Sequence, residues 1–170
     1  RLQPVENPLG ITVLIDYAHT PDALKNVLQA IRPLIKGRVV TVFGCGGDRD
    51  KKKRPIMGAI AEELSDRVIL TSDNPRTEPP LDIIDQIERG IQDMSPLSEA
   101  EFRSGKRGYI RLSDREEAIR LAIQSATRGD IVLIAGKGHE TYQIIGTQKR
   151  PFSDYQVAKK ILSEKAGKKE

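Results

Sequence analysis

Residues 73–80, with the sequence DNPRTEPP, place an acid, an amide and a guanidinium within four positions of one another. Arg76 can bind a carboxylate or a phosphate through two parallel N–H bonds, and Asp73 and Asn74 can accept hydrogen bonds from an ammonium group. Together these groups suit a zwitterion such as an amino acid. The alternative is an ordinary tight turn that leads into a helix, because Asx-Pro and Pro-Pro pairs are common in loops.

Three other segments also place polar residues directly after an apolar run. These are Asp16 with His19, Asp48 with Arg49, and residues 137–140. If the apolar runs are parallel strands, their carboxyl ends open on one edge of the sheet, which is where open α/β sheets bind ligands. The sequence therefore predicts that all four segments converge on one cleft.

The segments that must position these residues alternate between short apolar runs and longer amphipathic ones. The runs predict strands at residues 11–15, 38–43, 68–71, 109–112 and 130–135, and helices at residues 21–34, 54–65, 81–91, 113–126 and 153–165. This alternation predicts an α/β fold with a parallel sheet and right-handed crossovers. Residues 141–145 and 148–152 flank Gly146 and predict a hairpin near the C-terminus.

Helix starts and loops complete this prediction. Thr20 is expected to cap the first helix, and Ser153 the last. Residues 113–116 have the sequence SDRE and predict a capping box at the start of another helix. Residues 92–108 contain Pro, Ser, Gly and scattered charge, so they predict a surface loop.

Composition excludes several classes of protein. The chain has 170 residues and a net charge of +4, and no apolar run approaches the ~20 residues that cross a bilayer. With three Phe, four Tyr and no Trp, it offers few aromatic side chains to a nucleic acid. Cys45 is the single cysteine, so no intramolecular disulfide is available. We expect a cytoplasmic protein that binds neither membrane nor nucleic acid.

No nucleotide or metal motif is complete. Residues 44–53 lack the Gly-Lys-Ser/Thr ending of a Walker A loop, and residues 136–139 lack its hydroxyl. The first strand is not followed by a dinucleotide fingerprint. His19 and His139 have no paired spacing that would indicate a metal site. We therefore expect no metal site and no complete nucleotide site within the chain itself.

Four motifs in order give the chain a specific resemblance. They are DYAHTPDAL at 16–24, FGCGGDRDKKKRP at 43–55, TSDNPRTEPP at 71–80 and AGKGHETYQ at 135–143. In combination they resemble the C-terminal domain of the Mur ligases. The resemblance implies a Rossmann-like, open and mostly parallel sheet with helices on both faces. Within it, DNPR resembles the signature of members that add meso-diaminopimelate.

The resemblance also implies an activity. Mur ligases form an amide with ATP and Mg²⁺ by way of an acyl phosphate, here in adding meso-diaminopimelate to UDP-N-acetylmuramoyl-L-alanyl-D-glutamate for peptidoglycan synthesis. It implies that residues 1–170 are one amino-acid-binding domain, without the N-terminal UDP-binding domain and the central ATPase domain, which are its partners in the same polypeptide. The catalytic set would be incomplete, so the chain alone is expected to be inactive.

Site residues are carried over from the resemblance by position. For meso-diaminopimelate they are Arg49, Asp73, Asn74, Arg76, Gly136 and Glu140. For ATP they are Arg1, Asp16 and His19. The resemblance leaves open which arginine takes which carboxylate. Two alternatives also stay open, namely a stand-alone binding module of the same fold and a domain of another Mur or folylpolyglutamate ligase.

Overall fold

Six strands form one sheet in the order β1-β2-β6-β3-β4-β5, and two more form a separate hairpin. The computed structural model describes residues 2–168. The sheet contains β1 (Gln3–Pro4), β2 (Thr12–Asp16), β3 (Val39–Phe43), β4 (Arg67–Leu70), β5 (Gly108–Arg111) and β6 (Ile131–Ala135), and the hairpin contains β7 (Tyr142–Ile145) and β8 (Gln148–Pro151). Strands β2 to β6 are mutually parallel, whereas β1 is an antiparallel edge strand.

Helices cover both faces of the sheet. They are α1 (Pro21–Ile31), α2 (Lys53–Leu64), α3 (Pro80–Glu88), α4 (Glu99–Arg103), α5 (Arg115–Ser125) and α6 (Asp154–Lys168). Helices α1 to α3 pack with one hydrophobic cluster, and α4 to α6 contribute to a second cluster on the opposite face. The central strands are apolar on both sides because both faces are covered.

Strand β6 determines where the functional loops meet. It comes last of the sheet strands in the chain, yet it lies between β2 and β3, with Leu133 opposite both Leu14 and Thr41. The carboxyl ends of β2, β6, β3 and β4 are consequently adjacent. This arrangement brings the four polar segments to one edge.

The fold confirms the main predictions. The α/β class, the mostly parallel sheet, the helices on both faces and the C-terminal hairpin are all present. The hydroxyl of Thr20 accepts a hydrogen bond from the Ala23 amide, and that of Ser153 accepts one from the Gln156 amide. Both predicted helix caps are therefore confirmed.

Three local features differ from expectation. Residues 92–108 contain α4, with a capping box between Ser98 and Glu101, because burying Phe102 anchors this short helix. The N-cap of α5 is Asp114 and not Ser113, since the Asp114 carboxylate accepts from the Glu117 amide. Strand β1 has two residues and carries no recognisable sequence pattern.

No helix within residues 2–168 is both long enough and apolar enough to span a bilayer.

Candidate functional site

A cleft of about 500 Å³ opens at the carboxyl ends of β2, β6, β3 and β4. Of the predicted site residues, it is lined by His19, Arg49, Asp73, Asn74, Arg76, Gly136 and Glu140. The expected convergence of the four polar segments is thus present in the structure. A groove of about 570 Å³ beside α2 contains none of these residues.

One of the predicted residues that the structure describes, Asp16, does not line this cleft. Asp16 is buried, its carboxylate accepts a hydrogen bond from the Ala18 amide, and its carbonyl accepts one from the Gly136 amide. It therefore helps to join the end of β2 to the loop after β6. Arg1, the other predicted contact to ATP, lies outside the described residues.

Two loops form the wall that carries the arginines, namely the glycine-rich loop (residues 44–50) and the DNPR loop (residues 73–80). The Gly47 amide donates to the Asn74 carbonyl at 2.8 Å. A Cβ atom at Gly47 would lie 1.8 Å from the Pro75 carbonyl oxygen. Glycine is required here because any side chain would force the two loops apart.

Two non-glycine residues adopt left-handed backbone conformations, and they lie one in each loop. Asp48 has φ 56° and Arg76 has φ 51°. The backbone of Arg76 is held by the hairpin, since its amide donates to the Ile144 carbonyl and its carbonyl accepts from the Gly146 amide. Such conformations are strained and persist only where surrounding contacts enforce them.

Lys137 is a site residue that was not assigned from the sequence. Its side chain is fully buried, and its ammonium donates to Asn74 Oδ1 at 2.9 Å and to Glu140 Oε1 at 3.1 Å. Asn74 Oδ1 also accepts from the Ile144 amide at 3.0 Å. The Asn74 Nδ2 group also donates to Glu140 Oε1 at 3.3 Å. Because both lone pairs of the oxygen are used, Asn74 offers a ligand its remaining N–H and not the acceptor that we expected.

The Asp73 carboxylate lies against Gly136, and the missing side chain of Gly136 leaves space beside it. A Cβ atom at Gly136 would lie 2.5 Å from Asp73 Oδ2. Within residues 2–168 the Asp73 carboxylate makes no hydrogen bond or ion pair, although the residue is only 7% exposed. Burial raises the pKa of this carboxyl group, and the nearby charges of Arg115 and Lys137 partly oppose that effect.

The interior of the site carries one net negative charge when all of its carboxyl groups are ionised. Three carboxylates, Asp73, Glu140 and Asp154, interact with two cations, Arg115 and Lys137. Arg115 binds Asp154 through two hydrogen bonds of 2.8 Å, and both side chains are fully buried. An ammonium group entering beside Asp73 would neutralise the excess charge.

The rim of the cleft is positive. Arg49 is exposed and Arg76 is half-buried, with its guanidinium donating to the Gly47 carbonyl at 3.0 Å. Lys53 also lines the cleft, and its ammonium donates to the His19 carbonyl. These cations face the space above the negative interior, so the cleft presents anion-binding and cation-binding groups side by side.

Cys45 and possible metal ligands are the remaining groups to consider among the described residues. Cys45 is buried against Met57, and burial raises the pKa of its thiol to about 12, so the reactive thiolate is strongly disfavoured. In the part of the chain that the structure describes, no group of three or more His, Cys, Asp or Glu side chains is placed to hold a metal ion.

Comparison with known proteins gives consistent matches. The sequence model of the family described as "Mur ligase, glutamate ligase domain" matches residues 1–138. A protein of Clostridioides difficile is 51% identical over 164 residues, covering 96% of this chain and 32% of that protein. One of Geobacter sulfurreducens is 53% identical over 163 residues, covering 93% of this chain and 32% of that protein. Both are named UDP-N-acetylmuramoyl-L-alanyl-D-glutamate–2,6-diaminopimelate ligase.

A solved structure of a ligase with the same name superposes on this chain with a TM-score of 0.86 and 40% sequence identity. The match covers 98% of this chain and 32% of the other. The chain therefore spans about a third of the length of the relatives that it matches.

Proposed function

The chain belongs to the family of Mur ligase glutamate ligase domains, and from that premise we propose that it is the amino-acid-binding domain of a ligase for meso-diaminopimelate. The acceptor would be UDP-N-acetylmuramoyl-L-alanyl-D-glutamate, as in the names of the relatives. One observation carries the proposal: the cleft combines an arginine rim with an interior that holds more carboxyl groups than basic groups. A diamino-dicarboxylic acid has the complementary charges.

Three of the four charged groups of the amino acid have a partner in this proposal, and the fourth is the amine that reacts. The guanidinium groups of Arg49 and Arg76 bind the two carboxylates, and the remaining N–H of Asn74 assists. The distal ammonium lies beside Gly136, between Asp73 and Glu140, where it neutralises the interior. Burial disfavours the charged form of Asp73. A bound ammonium group beside the carboxylate would offset this cost and stabilise the charged form.

The proposed reaction has two steps. The acceptor carboxylate takes the terminal phosphoryl group of ATP, giving an acyl phosphate and ADP. The amine nitrogen then attacks the acyl carbon, the bond from carbon to the phosphate oxygen breaks, and phosphate and a proton leave as the amide forms. In the second step this chain contributes by holding the attacking amino acid in place and by excluding other amino acids.

The nucleotide is proposed to bind partly to this chain and mainly elsewhere. Asp16, His19 and Arg1 would contribute one wall of the ATP site. Mg²⁺ would neutralise phosphate charge during transfer, and the described residues offer it no ligand cluster. We therefore assign most of the Mg²⁺ and ATP contacts to a central domain of the same polypeptide, preceded by a UDP-binding domain. A cytoplasmic location stays a prediction.

Two measurements test the proposal. In calorimetric titration, the 170-residue chain should bind meso-diaminopimelate more tightly than L-lysine or L-glutamate, each of which lacks one of its charged groups. The complete polypeptide that carries this chain should ligate meso-diaminopimelate to the UDP-linked dipeptide with ATP and Mg²⁺. A preference for glutamate would favour a folylpolyglutamate-type ligase. Binding without ligation by the complete polypeptide would favour a stand-alone binding module.

A further inference from the structure

The two arginines on the rim are carried by different loops that leave different strands. Arg49 follows β3 and Arg76 follows β4, so the spacing of their guanidinium groups is not fixed by the sheet alone. Contacts between the loops must set it. The contacts are made by four side chains that we call the loop junction: Asp48, Arg54, Thr77 and Glu78.

Glu78 is the centre of the loop junction. Its carboxylate accepts two hydrogen bonds from Arg54, at 3.0 and 2.7 Å, and a third from the Asp48 amide at 2.7 Å. Arg54 is fully buried and also donates to the Gly46 carbonyl. One carboxylate thus connects the DNPR loop to the glycine-rich loop and to the first turn of α2.

Asp48 makes the reciprocal connection. Its carboxylate accepts from the Thr77 amide at 3.2 Å and from the Thr77 hydroxyl at 2.8 Å. The left-handed backbone of Asp48 turns its amide toward Glu78 while its side chain reaches Thr77. Asp48 directly precedes Arg49, and Thr77 directly follows Arg76. The contacts between the two loops therefore involve the immediate neighbour of each arginine.

The loop junction is distinct from the core. None of its members belongs to either hydrophobic cluster, and Asp48 and Thr77 are exposed. The bonds from Arg54 lower the pKa of Glu78 to about 2, so the carboxylate is ionised at neutral pH. The exposed contact between Asp48 and Thr77 can therefore be removed without opening the sheet or its helices.

Resting on the proposed function, we propose that Asp48 and Glu78 are positioning residues that set the spacing of Arg49 and Arg76 and thereby select an amino acid with two carboxylates. Neither residue is assigned a contact to the substrate. Their effect passes through the backbone that carries the arginines. Misplacing a binding group by about 1 Å can cost orders of magnitude in rate, so loosening the loops should weaken a ligand that bridges both arginines.

The test uses the complete polypeptide with single substitutions. Asp48→Gly keeps the left-handed backbone at no steric cost but deletes both bonds to Thr77. Asp48→Asn tolerates the same backbone and keeps an acceptor for the Thr77 hydroxyl, so it is the conservative rescue. Glu78→Gln keeps an acceptor for the Asp48 amide and removes the charge that Arg54 binds. Lys52→Ala changes an exposed neighbour whose side chain makes no junction contact, and serves as the matched control.

We expect Asp48→Gly and Glu78→Gln to raise KM for meso-diaminopimelate roughly tenfold or more, with a smaller change in kcat. In both variants, the ratio of kcat/KM for meso-diaminopimelate to that for L-lysine should fall, while KM for ATP stays close to wild type. In Asp48→Asn and Lys52→Ala, both KM for meso-diaminopimelate and this ratio should stay close to wild type. If Glu78→Gln fails to fold because Arg54 is left unpaired, Asp48→Gly decides alone.

Two results would overturn the inference, and they differ from a failure of the proposed function. Asp48→Gly with unchanged KM and unchanged selectivity would show that the junction does not position the arginines. A lower Tm with unchanged kinetics in both variants would reduce its role to stability. A wild-type polypeptide that ligates no meso-diaminopimelate would instead refute the proposed function itself.

Discussion

Replacing Arg76 by alanine tests the most specific part of the proposed site. Meso-diaminopimelate has a second carboxylate that lysine lacks, and we propose that Arg76 or Arg49 binds it. Alanine at position 76 keeps the backbone strain of the left-handed conformation unchanged, because arginine and alanine both carry a Cβ. The substitution therefore removes the guanidinium and its bond to the Gly47 carbonyl without a new backbone cost.

The expected magnitude follows from the exposure of Arg76. A fully buried charge pair broken on one side would cost about 3–5 kcal/mol. Arg76 is only half-buried, so the value for a hydrogen bond to a charged group, about 1.5–3 kcal/mol, is more appropriate. At 1.4 kcal/mol per factor of ten, the loss in kcat/KM for meso-diaminopimelate is roughly 10- to 150-fold.

The assay is kcat/KM of the complete polypeptide for meso-diaminopimelate and L-lysine. In Arg76→Ala the preference for meso-diaminopimelate should fall by that factor, and lysine should gain nothing because no contact to it is created. Arg49→Ala is the matched comparison, since it should weaken both substrates alike if it holds the carboxylate that they share. An Arg76→Ala variant with wild-type discrimination, alongside an Arg49→Ala variant that loses it, would exchange the two assignments. Unchanged discrimination in both would refute the reasoning.

Three further predictions concern Asp73, Cys45 and the isolated chain. Burial raises the pKa of Asp73, so the folded state binds the Asp73 proton more tightly than the unfolded state does. Ionising this carboxyl group therefore lowers the stability of the folded state. This loss of stability is absent below the ordinary carboxyl pKa and grows as pH rises. Asp73→Asn should therefore raise Tm at pH 7, with a gain that shrinks toward pH 4, and a gain independent of pH would contradict this. Cys45 should react with a thiol reagent at pH 8 far more slowly in the native chain than in guanidinium, since its thiol pKa is about 12; equal rates would show that it is accessible. The isolated 170-residue chain should show no Mg²⁺-dependent ATP hydrolysis, which a phosphate-release assay measures directly, and turnover at the rate of the complete polypeptide would contradict the domain assignment.

The elements of the fold are predictable because their signals are local. Apolar runs of strand length and helical periodicity in the intervening segments identify β2 to β6 and most of the helices. Even α4, which was expected to be a loop, carries a local signal in Ser98 and Glu101, the pair that forms its capping box. The position of β6 between β2 and β3 is different, because strand order depends on pairing between distant segments and leaves no local pattern.

The site is predictable in its location and less so in its chemistry. That polar segments after parallel strands share one edge follows from topology alone. Which groups remain available to a ligand depends on hydrogen bonds between residues that are far apart in sequence. Arg54 and Glu78 are 24 positions apart, and Asn74 and Glu140 are 66 positions apart. Lys137 and Ile144 occupy the Asn74 oxygen, and that turns an expected acceptor into a donor.

The strained and charged residues that we propose to select the amino acid are not the apolar residues that form the core of this domain. The two left-handed non-glycine residues among residues 2–168 lie in the two loops that form one wall of the cleft, and both are fixed by bonds between loops or to the hairpin. The apolar clusters on the two faces of the sheet include neither of them. Strained conformations that lie outside the core persist because surrounding contacts enforce them, and they are found where a ligand must be positioned. A change at Arg76 can therefore alter the choice of amino acid while the sheet, the helices and the loop junction stay as they are.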